Sequence, residues 1–415
     1  MTSSFYRVST ANIYDASVRN LGARQKTLAG LQENLTSGKR VVRPSDDPVA
    51  AAQAERALTR ISRIQSEQRT LEVQRSAMAL AESTLGDALD LVQEMRQLVV
   101  AAGGGSLKSE DRKTHANQLQ SLRDQFNEVI NRKDTNGVPL LGALGSALQA
   151  FAGPMLAGTD YRFDGLPGQA ASNGTDISGT LDGHSALMFD PVRDGIYTAG
   201  VARAPGSALV TSPITTSNRE TLAGAGYELQ INGVTVDPAT GATTVNYDLT
   251  RNGVAAGSYT ATAPAGQAIP ITIDEAGKTV MSFSLNGTPA VGDTVSLQPS
   301  SSLMATLDAA IRGIAGAGDS VAAAQAVGQA LANIDAGMER LRNIRGYAGE
   351  LLNRADRVTL DQEGRAIQLE GDRSRAEDLD MLKGISDFQN AHVGYQAALQ
   401  SYAQVQKLSL FDYMR

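Results

Sequence analysis

The chain has 415 residues, a formal net charge of −7 and no cysteine. The absence of cysteine excludes disulfides, thiolate metal sites and cysteine nucleophiles. The mildly acidic balance argues against a nucleic-acid partner, whose binding surface is typically basic. No run of about 18 apolar residues occurs, so no membrane partner is expected.

The prolines separate two helical ends from a non-helical middle. Ten of the 13 prolines fall between Pro154 and Pro299, whereas none lies between Pro48 and Pro139 or after Pro299. Proline costs roughly 3 kcal/mol in a helix interior. The proline-free stretches therefore favour long helices.

Apolar residues repeat every seven positions near the N-terminus. The first predicted helix carries Leu21, Leu28 and Leu35. The second carries six such residues: Ile64, Leu71, Met78, Leu85, Val92 and Val99. A sustained heptad spacing predicts helices that bury one stripe against a partner helix.

The segment SGKRVVRPSDDPVAAA (37–52) interrupts this helical pattern. Gly38 predicts the end of the first helix, and Pro44 favours extended backbone before it. Asp47 is expected to cap the second helix, with Pro48 at its first position and Asp46 near its positive end. We therefore interpret these five residues as a connector between two helical layers rather than as a catalytic carboxylate pair.

The middle of the chain, about 151–300, alternates apolar and polar residues. YELQINGVTVD (227–237) predicts two strands joined by a type I′ turn at Asn232-Gly233. Four further segments, at 244–250, 269–274, 279–287 and 293–298, continue the strand pattern. These features predict a compact, mostly antiparallel β domain inserted between the helical ends.

The last helical stretch carries an apolar stripe that is nearly free of charge. The stripe includes Ile385, Phe388, Tyr395, Leu399 and Tyr402, and no Lys, Arg, Asp or Glu occurs from 388 to 406. A surface helix normally has a charged face. Two interpretations remain open: a modestly soluble helix end, or a helix buried among other copies of the chain.

Residue patterns typical of enzymes are missing from the sequence. The three histidines, His115, His184 and His392, are isolated, and no phosphate-binding loop or nucleophile motif occurs. We expect no catalytic residues, no cofactor and no metal site, and hence no enzyme.

Two distant blocks carry a family resemblance. LQENLTSGKRVVRPSDDPVAAAQAERAL (31–58) and YQAALQSYAQVQKLSLFDYMR (395–415) resemble the terminal blocks of the flagellin superfamily. NGVPLLG (136–142) and RSRAEDLD (373–380) are similar to its post-helix turn and its link between helical layers. Pro44 and Pro48 around the aspartate pair, and the LSLFDYM ending, favour the hook-associated members over flagellin itself.

The resemblance implies a structural subunit outside the cell, at the junction between flagellar hook and filament. It implies assembly with copies of itself in a ring or short helical layer, between a neighbouring hook-associated protein and flagellin. It also implies an export chaperone on the C-terminal helix and export through the flagellar secretion apparatus. The N-terminal stretch lacks the apolar segment of a cleaved signal peptide, which agrees with that route.

The predicted fold class is α+β and multidomain: a long antiparallel helical coiled coil formed by both termini, with an inserted antiparallel β domain. The expected divisions are 1–42 with 380–415 (terminal coiled-coil assembly domain), 43–150 with 301–379 (helical rod), and 151–300 (β domain). The terminal stripe residues are the expected assembly contacts. Two alternatives remain open: a flagellin filament subunit, and a surface enzyme or adhesin hosted in the β domain.

Overall fold

The computed structural model describes residues 10–144, 148–154, 161–168 and 177–413. Helices within these residues are α1 (Thr10–Ser37), α2 (Pro48–Ala102), α3 (Ser109–Ile130), α4 (Gly183–Leu187), α5 (Arg219–Leu222), α6 (Leu303–Ala315), α7 (Ser320–Glu377) and α8 (Met381–Tyr413). The strands are β1 (Phe151–Ala152), β2 (Arg162–Phe163), β3 (Tyr197–Ala202), β4 (Val210–Thr211), β5 (Thr215–Thr216), β6 (Tyr227–Val236), β7 (Thr243–Arg251), β8 (Val254–Ala263), β9 (Ile269–Glu275), β10 (Lys278–Asn286) and β11 (Thr294–Pro299).

The chain forms two compact units. One, the terminal unit, contains the described residues up to Thr70 and from Val358 onward; the other, the central unit, is Leu71–Arg357. The predicted α+β class, with long helices and antiparallel sheets, is confirmed. The three-part division stays a prediction, and residues 1–9 and 414–415 of its terminal part lie outside the described residues.

The helical core of the central unit follows the predicted heptad stripe of α2. Met78, Leu85, Val92 and Val99 are fully buried. They belong to a cluster that also contains side chains of α3, α6 and α7: Leu119, Phe126, Leu307, Ile334 and Leu341. The described parts of 150–189 contribute to this cluster too, through Phe151, Tyr161 and Leu187. The separate β core begins only at Tyr197.

The β core lies between two antiparallel sheets. One has five strands in the order β3-β11-β6-β7-β8, and in the other β10 pairs with β4, β5 and β9. Inward-facing residues alternate along the strands, as in Tyr227, Leu229 and Ile231 of β6. The predicted strands at 244–250, 269–274, 279–287 and 293–298 correspond to β7, β9, β10 and β11.

The predicted hairpin turn at Asn232-Gly233 is wrong. β6 continues through both residues, and its register against β7 shifts between Ile231 and Gly233, which marks a β-bulge. The tight turn instead lies between β7 and β8, where Asn252 and Gly253 have φ of 50° and 77°. An Asn-Gly pair suits either feature, and here the long partner strand β7 keeps β6 extended.

Buried amide side chains of α7 pack against strands of the β domain. Gln325 Nε2 donates to Thr211 Oγ1 at 2.6 Å, and its Oε1 accepts from the Thr211 backbone N–H at 2.6 Å. Asn333 Nδ2 donates to the carbonyl of Tyr197 at 3.2 Å. Since buried polar groups require partners, these bonds fix the β strands to the helix.

Candidate assembly site

The two terminal helices lie antiparallel. Leu35 approaches Gly384, since a Cβ built on the glycine lies 3.2 Å from the leucine Cδ2. The rings of Tyr14 and Tyr402 are 5.7 Å apart between centroids. The C-terminal end of α1 therefore contacts the N-terminal end of α8, and the N-terminal part of α1 contacts the C-terminal part of α8.

Small residues of α8 face α1. Gly384 is buried, and a Cβ on Gly394 lies 2.8 Å from the guanidinium of Arg24. Ala391 and Ala398, at helical spacing from these glycines, are half-buried. Small side chains let two helix backbones approach closely. The sequence interpretation missed this contact because it followed large apolar residues.

The predicted stripe residues divide into two sets in the structure. Half-buried side chains are Leu21, Leu28, Leu35, Phe388, Tyr395 and Tyr402. Ile385 and Leu399 are 45% and 41% exposed. These two lie near other exposed apolar residues of α8, namely Met381, Leu382 and Val393. In the single chain α8 therefore carries several exposed apolar side chains that α1 does not cover.

The connector begins where Gly38 ends α1. Gly38 has φ of 69°, a left-handed conformation that favours glycine, as the sequence predicted. Its carbonyl accepts from the Leu379 N–H at 2.9 Å, and the Arg40 N–H donates to the Glu377 carbonyl at 2.7 Å. The connector is thus hydrogen-bonded to the segment that joins α7 to α8.

The connector ends in a helix cap of the predicted kind. The backbone N–H of Ala50 donates to Asp47 Oδ1 at 3.0 Å, and Pro48 is the first residue of α2. This hydrogen bond holds the pKa of Asp47 below its usual value. Asp46 Oδ2 accepts from the Arg43 N–H at 2.8 Å, so the two aspartates stabilise consecutive turns, 43–46 and 47–50.

Charged side chains also join the connector to the end of α7 and to its own helix cap. Lys39 pairs with Glu377, and Arg40 lies 3.2 Å from Asp47. Arg40 Nη2 also donates to the carbonyl of Ala376 at 2.8 Å. Below them, Val41, Ala50, Ala54 and Ala376 form a small apolar cluster. In the sequence, only the charge-dense segment 373–380 indicated that the end of α7 would contact the connector.

The chain also contains a buried polar cluster in the central unit. Arg123 Nε lies 3.0 Å from Asp308 Oδ1, and the Tyr161 hydroxyl donates to Asp308 Oδ2 at 3.1 Å. Burial raises the pKa of Tyr161 to about 12 and raises that of Asp308. The three groups contact one another at these distances and leave no room for a ligand between them, so we interpret the cluster as structural.

Within the described residues, no group of three or more His, Asp or Glu side chains is arranged to hold a metal ion. No helix there has the length and apolarity needed to cross a membrane. His115 and His392 lie on helices, and His392 is within 2.9 Å of the Gln396 side chain.

Comparisons with known proteins agree with this geometry. Residues 8–144 match the model of the bacterial flagellin N-terminal helical region. The flagellar hook-associated protein 3 of Salmonella typhimurium is 35% identical over 135 residues, covering 32% of this chain and 41% of that protein. The Escherichia coli protein of that name is 29% identical over 217 residues, covering 50% and 62%. The chain thus spans less than two thirds of either relative.

Solved structures show the same fold. The flagellar junction protein FlgL of Legionella pneumophila superposes with a TM-score of 0.58 at 22% identity, covering 73% of this chain and 99% of that one. FlgL of Xanthomonas campestris gives 0.59 at 20% identity, covering 77% and 99%. Residues 8–144 are thus flagellin-like. The predicted resemblance to the hook-associated proteins is confirmed.

Proposed function

We propose that this chain is a non-enzymatic structural subunit of the bacterial flagellum that joins the hook to the flagellin filament. The observation that carries the proposal is the similarity to hook-associated protein 3 of two species, over 135 and 217 residues. The hook-associated relatives favour the junction role over that of a filament subunit. A flagellin of Listeria monocytogenes also matches, at 29% identity over 162 residues.

The terminal helices supply the assembly surface in this proposal. Together α1 and α8 form an antiparallel coiled coil, and the uncovered apolar residues of α8 contact other copies in a ring or short helical layer. Exposed apolar patches of this kind mark interaction sites. Before assembly the same face binds an export chaperone, which keeps it from aggregating.

The junction role places three kinds of partner around the subunit: further copies of the chain, a neighbouring hook-associated protein on the hook side, and flagellin on the filament side. The subunit acts outside the cell and leaves it through the flagellar secretion apparatus. The connector sets the geometry between an inner helical layer, α1 with α8, and the outer helices.

Removal of residues 381–415 tests the role of α8. We expect the truncated chain to be absent from isolated flagella and to leave a deletion strain non-motile. A chain that ends at Leu410 retains the paired part of α8, including Tyr402, and is the control. Normal motility with the longer truncation would contradict the proposed role.

Localisation separates the two flagellar alternatives. Antibodies against the β domain should label one short zone at the hook end of each filament. Continuous label along the filament, or long filaments grown from the purified chain alone, would instead show a flagellin.

A further inference from the structure

A basic groove lies between α2 and α7 in the terminal unit. Its volume is about 600 Å³. The charged side chains that line it are Arg40, Arg56, Arg60, Arg375, Asp47 and Asp372. Four cations against two anions make the groove positive, although the chain as a whole carries a charge of −7.

Two of these arginines have free guanidinium groups. Arg40 is engaged with Asp47, and Arg375 pairs with Asp372. Arg56 and Arg60 are exposed and lie one turn apart on α2; neither makes an ion pair or side-chain hydrogen bond with another described residue. Val49, which is 68% exposed, lines the same groove. The groove therefore offers two unpaired cations beside an uncovered apolar side chain.

The opposite side of α7 carries two exposed aliphatic residues with one carboxylate between them, which we call the acidic stripe: Leu360, Glu363 and Ile367. Leu360 and Ile367 are 67% and 73% exposed, and Glu363 is exposed with no ion pair to a described residue. At 100° per residue, these positions project away from Leu369 and Asp372, which line the groove.

We propose that the basic groove of one copy receives the acidic stripe of a second copy of this chain. The carboxylate of Glu363 would meet the free guanidiniums, and the two aliphatic side chains would cover Val49. A small anion bound to the arginines would leave Val49 exposed, whereas the aliphatic residues of a protein surface would cover it. A second protein surface is therefore the better occupant of the groove. The proposal rests on the assembly function proposed above and adds the residues of one lateral contact.

The contact is heterologous, because the groove and the stripe are different surfaces on opposite sides of one helix. Repetition of such a contact produces a ring when the rotation closes and a helical layer when it does not. This is the arrangement that a junction subunit requires.

Charge reversal in the full-length chain tests the contact. In a deletion strain, R56E with R60E should lower the amount of chain in isolated flagella at least tenfold, while the secreted chain keeps its wild-type circular dichroism. R69E makes a single charge reversal at an exposed arginine of α2 outside the groove, and it should incorporate normally. E363R alone should also reduce incorporation.

The decisive variant combines R56E and R60E with E363R. Every copy then carries a reversed groove and a reversed stripe, so incorporation should recover at least threefold relative to R56E with R60E. Wild-type incorporation of R56E with R60E, or no recovery in the combined variant, would overturn the inference. Immunolabelling of flagella that carry the unmutated chain tests the junction role separately, because the position of the wild-type chain does not depend on these variants.

Discussion

Asp47 accepts a hydrogen bond from the backbone N–H of Ala50, and this bond starts α2 at the residue where the connector ends. The first N–H groups of a helix have no partner within the helix, so a side-chain acceptor stabilises that turn. The cap thus fixes where the connector passes into the long helix.

Replacement of Asp47 by alanine should loosen the first turn of α2. We expect amide hydrogen exchange in a peptide covering 48–56 to accelerate roughly fivefold, the usual effect of losing one such cap. Asp47→Ser retains an acceptor and should exchange at nearly the wild-type rate. Equal rates for the alanine and wild-type chains would show that the cap has no effect on this turn.

Gly384 should be required for the close approach of α1 and α8. A Cβ there would lie 2.8 Å from Leu379 and 3.2 Å from Leu35, so Gly384→Ala pushes the helices apart. Gly364→Ala is the control, because nothing lies within 4 Å of that position. The alanine gained there should stabilise α7 by up to about 1 kcal/mol.

Oxidative dityrosine formation reports this approach in assembled flagella. Tyr14 and Tyr402 should crosslink in the wild-type chain, and the yield should fall at least threefold in Gly384→Ala. Tyr247 and Tyr259, 5.8 Å apart in the β domain, provide an internal reference. An unchanged Tyr14–Tyr402 yield relative to that reference would contradict the tight packing at Gly384.

The sequence predicted the elements better than their pairing. Heptads of large residues identified α2, and alternation identified β7, β9, β10 and β11, because burial on one face leaves a periodic pattern. Strand β8 was missed because nearly all of its residues are exposed and small or polar, so it has no apolar alternation.

The candidate site was only partly predictable, because some of its residues act locally and others depend on contacts with distant parts of the chain. Gly38, Asp47 and Pro48 act locally, so their roles follow from neighbouring residues. The hydrogen bonds from the connector to Glu377 and Leu379 join positions more than 300 residues apart, and no local pattern specifies them. The exposure of Ile385 and Leu399 likewise depends on where α1 lies.

Arg340 should be a large contributor to the stability of the central unit. It is mostly buried, pairs with Asp194 and donates to the carbonyl of Ser185. Arg340→Met removes the buried cation but leaves Asp194 bound to Arg193, so it should cost about 2 kcal/mol in urea unfolding. Arg345→Met removes a more exposed pair with Glu82 and should cost less than about 1 kcal/mol. Equal losses for the two variants would contradict this account.

The Arg340–Asp194 pair should make the free energy of unfolding depend on pH in the acidic range. Burial acts to raise the pKa of Asp194, but hydrogen bonds from Arg193 and the Asp190 backbone, with the charge of Arg340, hold it below the usual 3.8. A lowered carboxyl pKa stabilises the fold above pH 3.8, and that contribution is lost as the pH falls toward the lowered value. The stability difference between wild type and Arg340→Met should therefore shrink between about pH 5 and about pH 2. If the stability difference between the two chains stays constant over this pH range, Arg340 stabilises the fold through packing and not through its charge.

Gly253 and Gly233 should respond differently to the same substitution. Gly253 has φ of 77° and open space around its Cα, so Gly253→Ala strains only the backbone and should cost about 1 kcal/mol. Gly233 lies in the bulge without a left-handed φ, and Gly233→Ala should cost less. The urea midpoint followed by tyrosine near-UV circular dichroism measures both. No measurable loss for Gly253→Ala would contradict the left-handed turn at Asn252-Gly253.

The most direct test of the junction role is the amount of flagellin monomer in the medium of a strain that lacks this chain. If the chain joins hook to filament, flagellin is still exported but has no base on which to polymerise. We predict abundant monomer in the medium, hooks without filaments, and restoration of filaments by the wild-type chain. Filaments of normal length on the hooks of the deletion strain, with no excess monomer, would contradict the account.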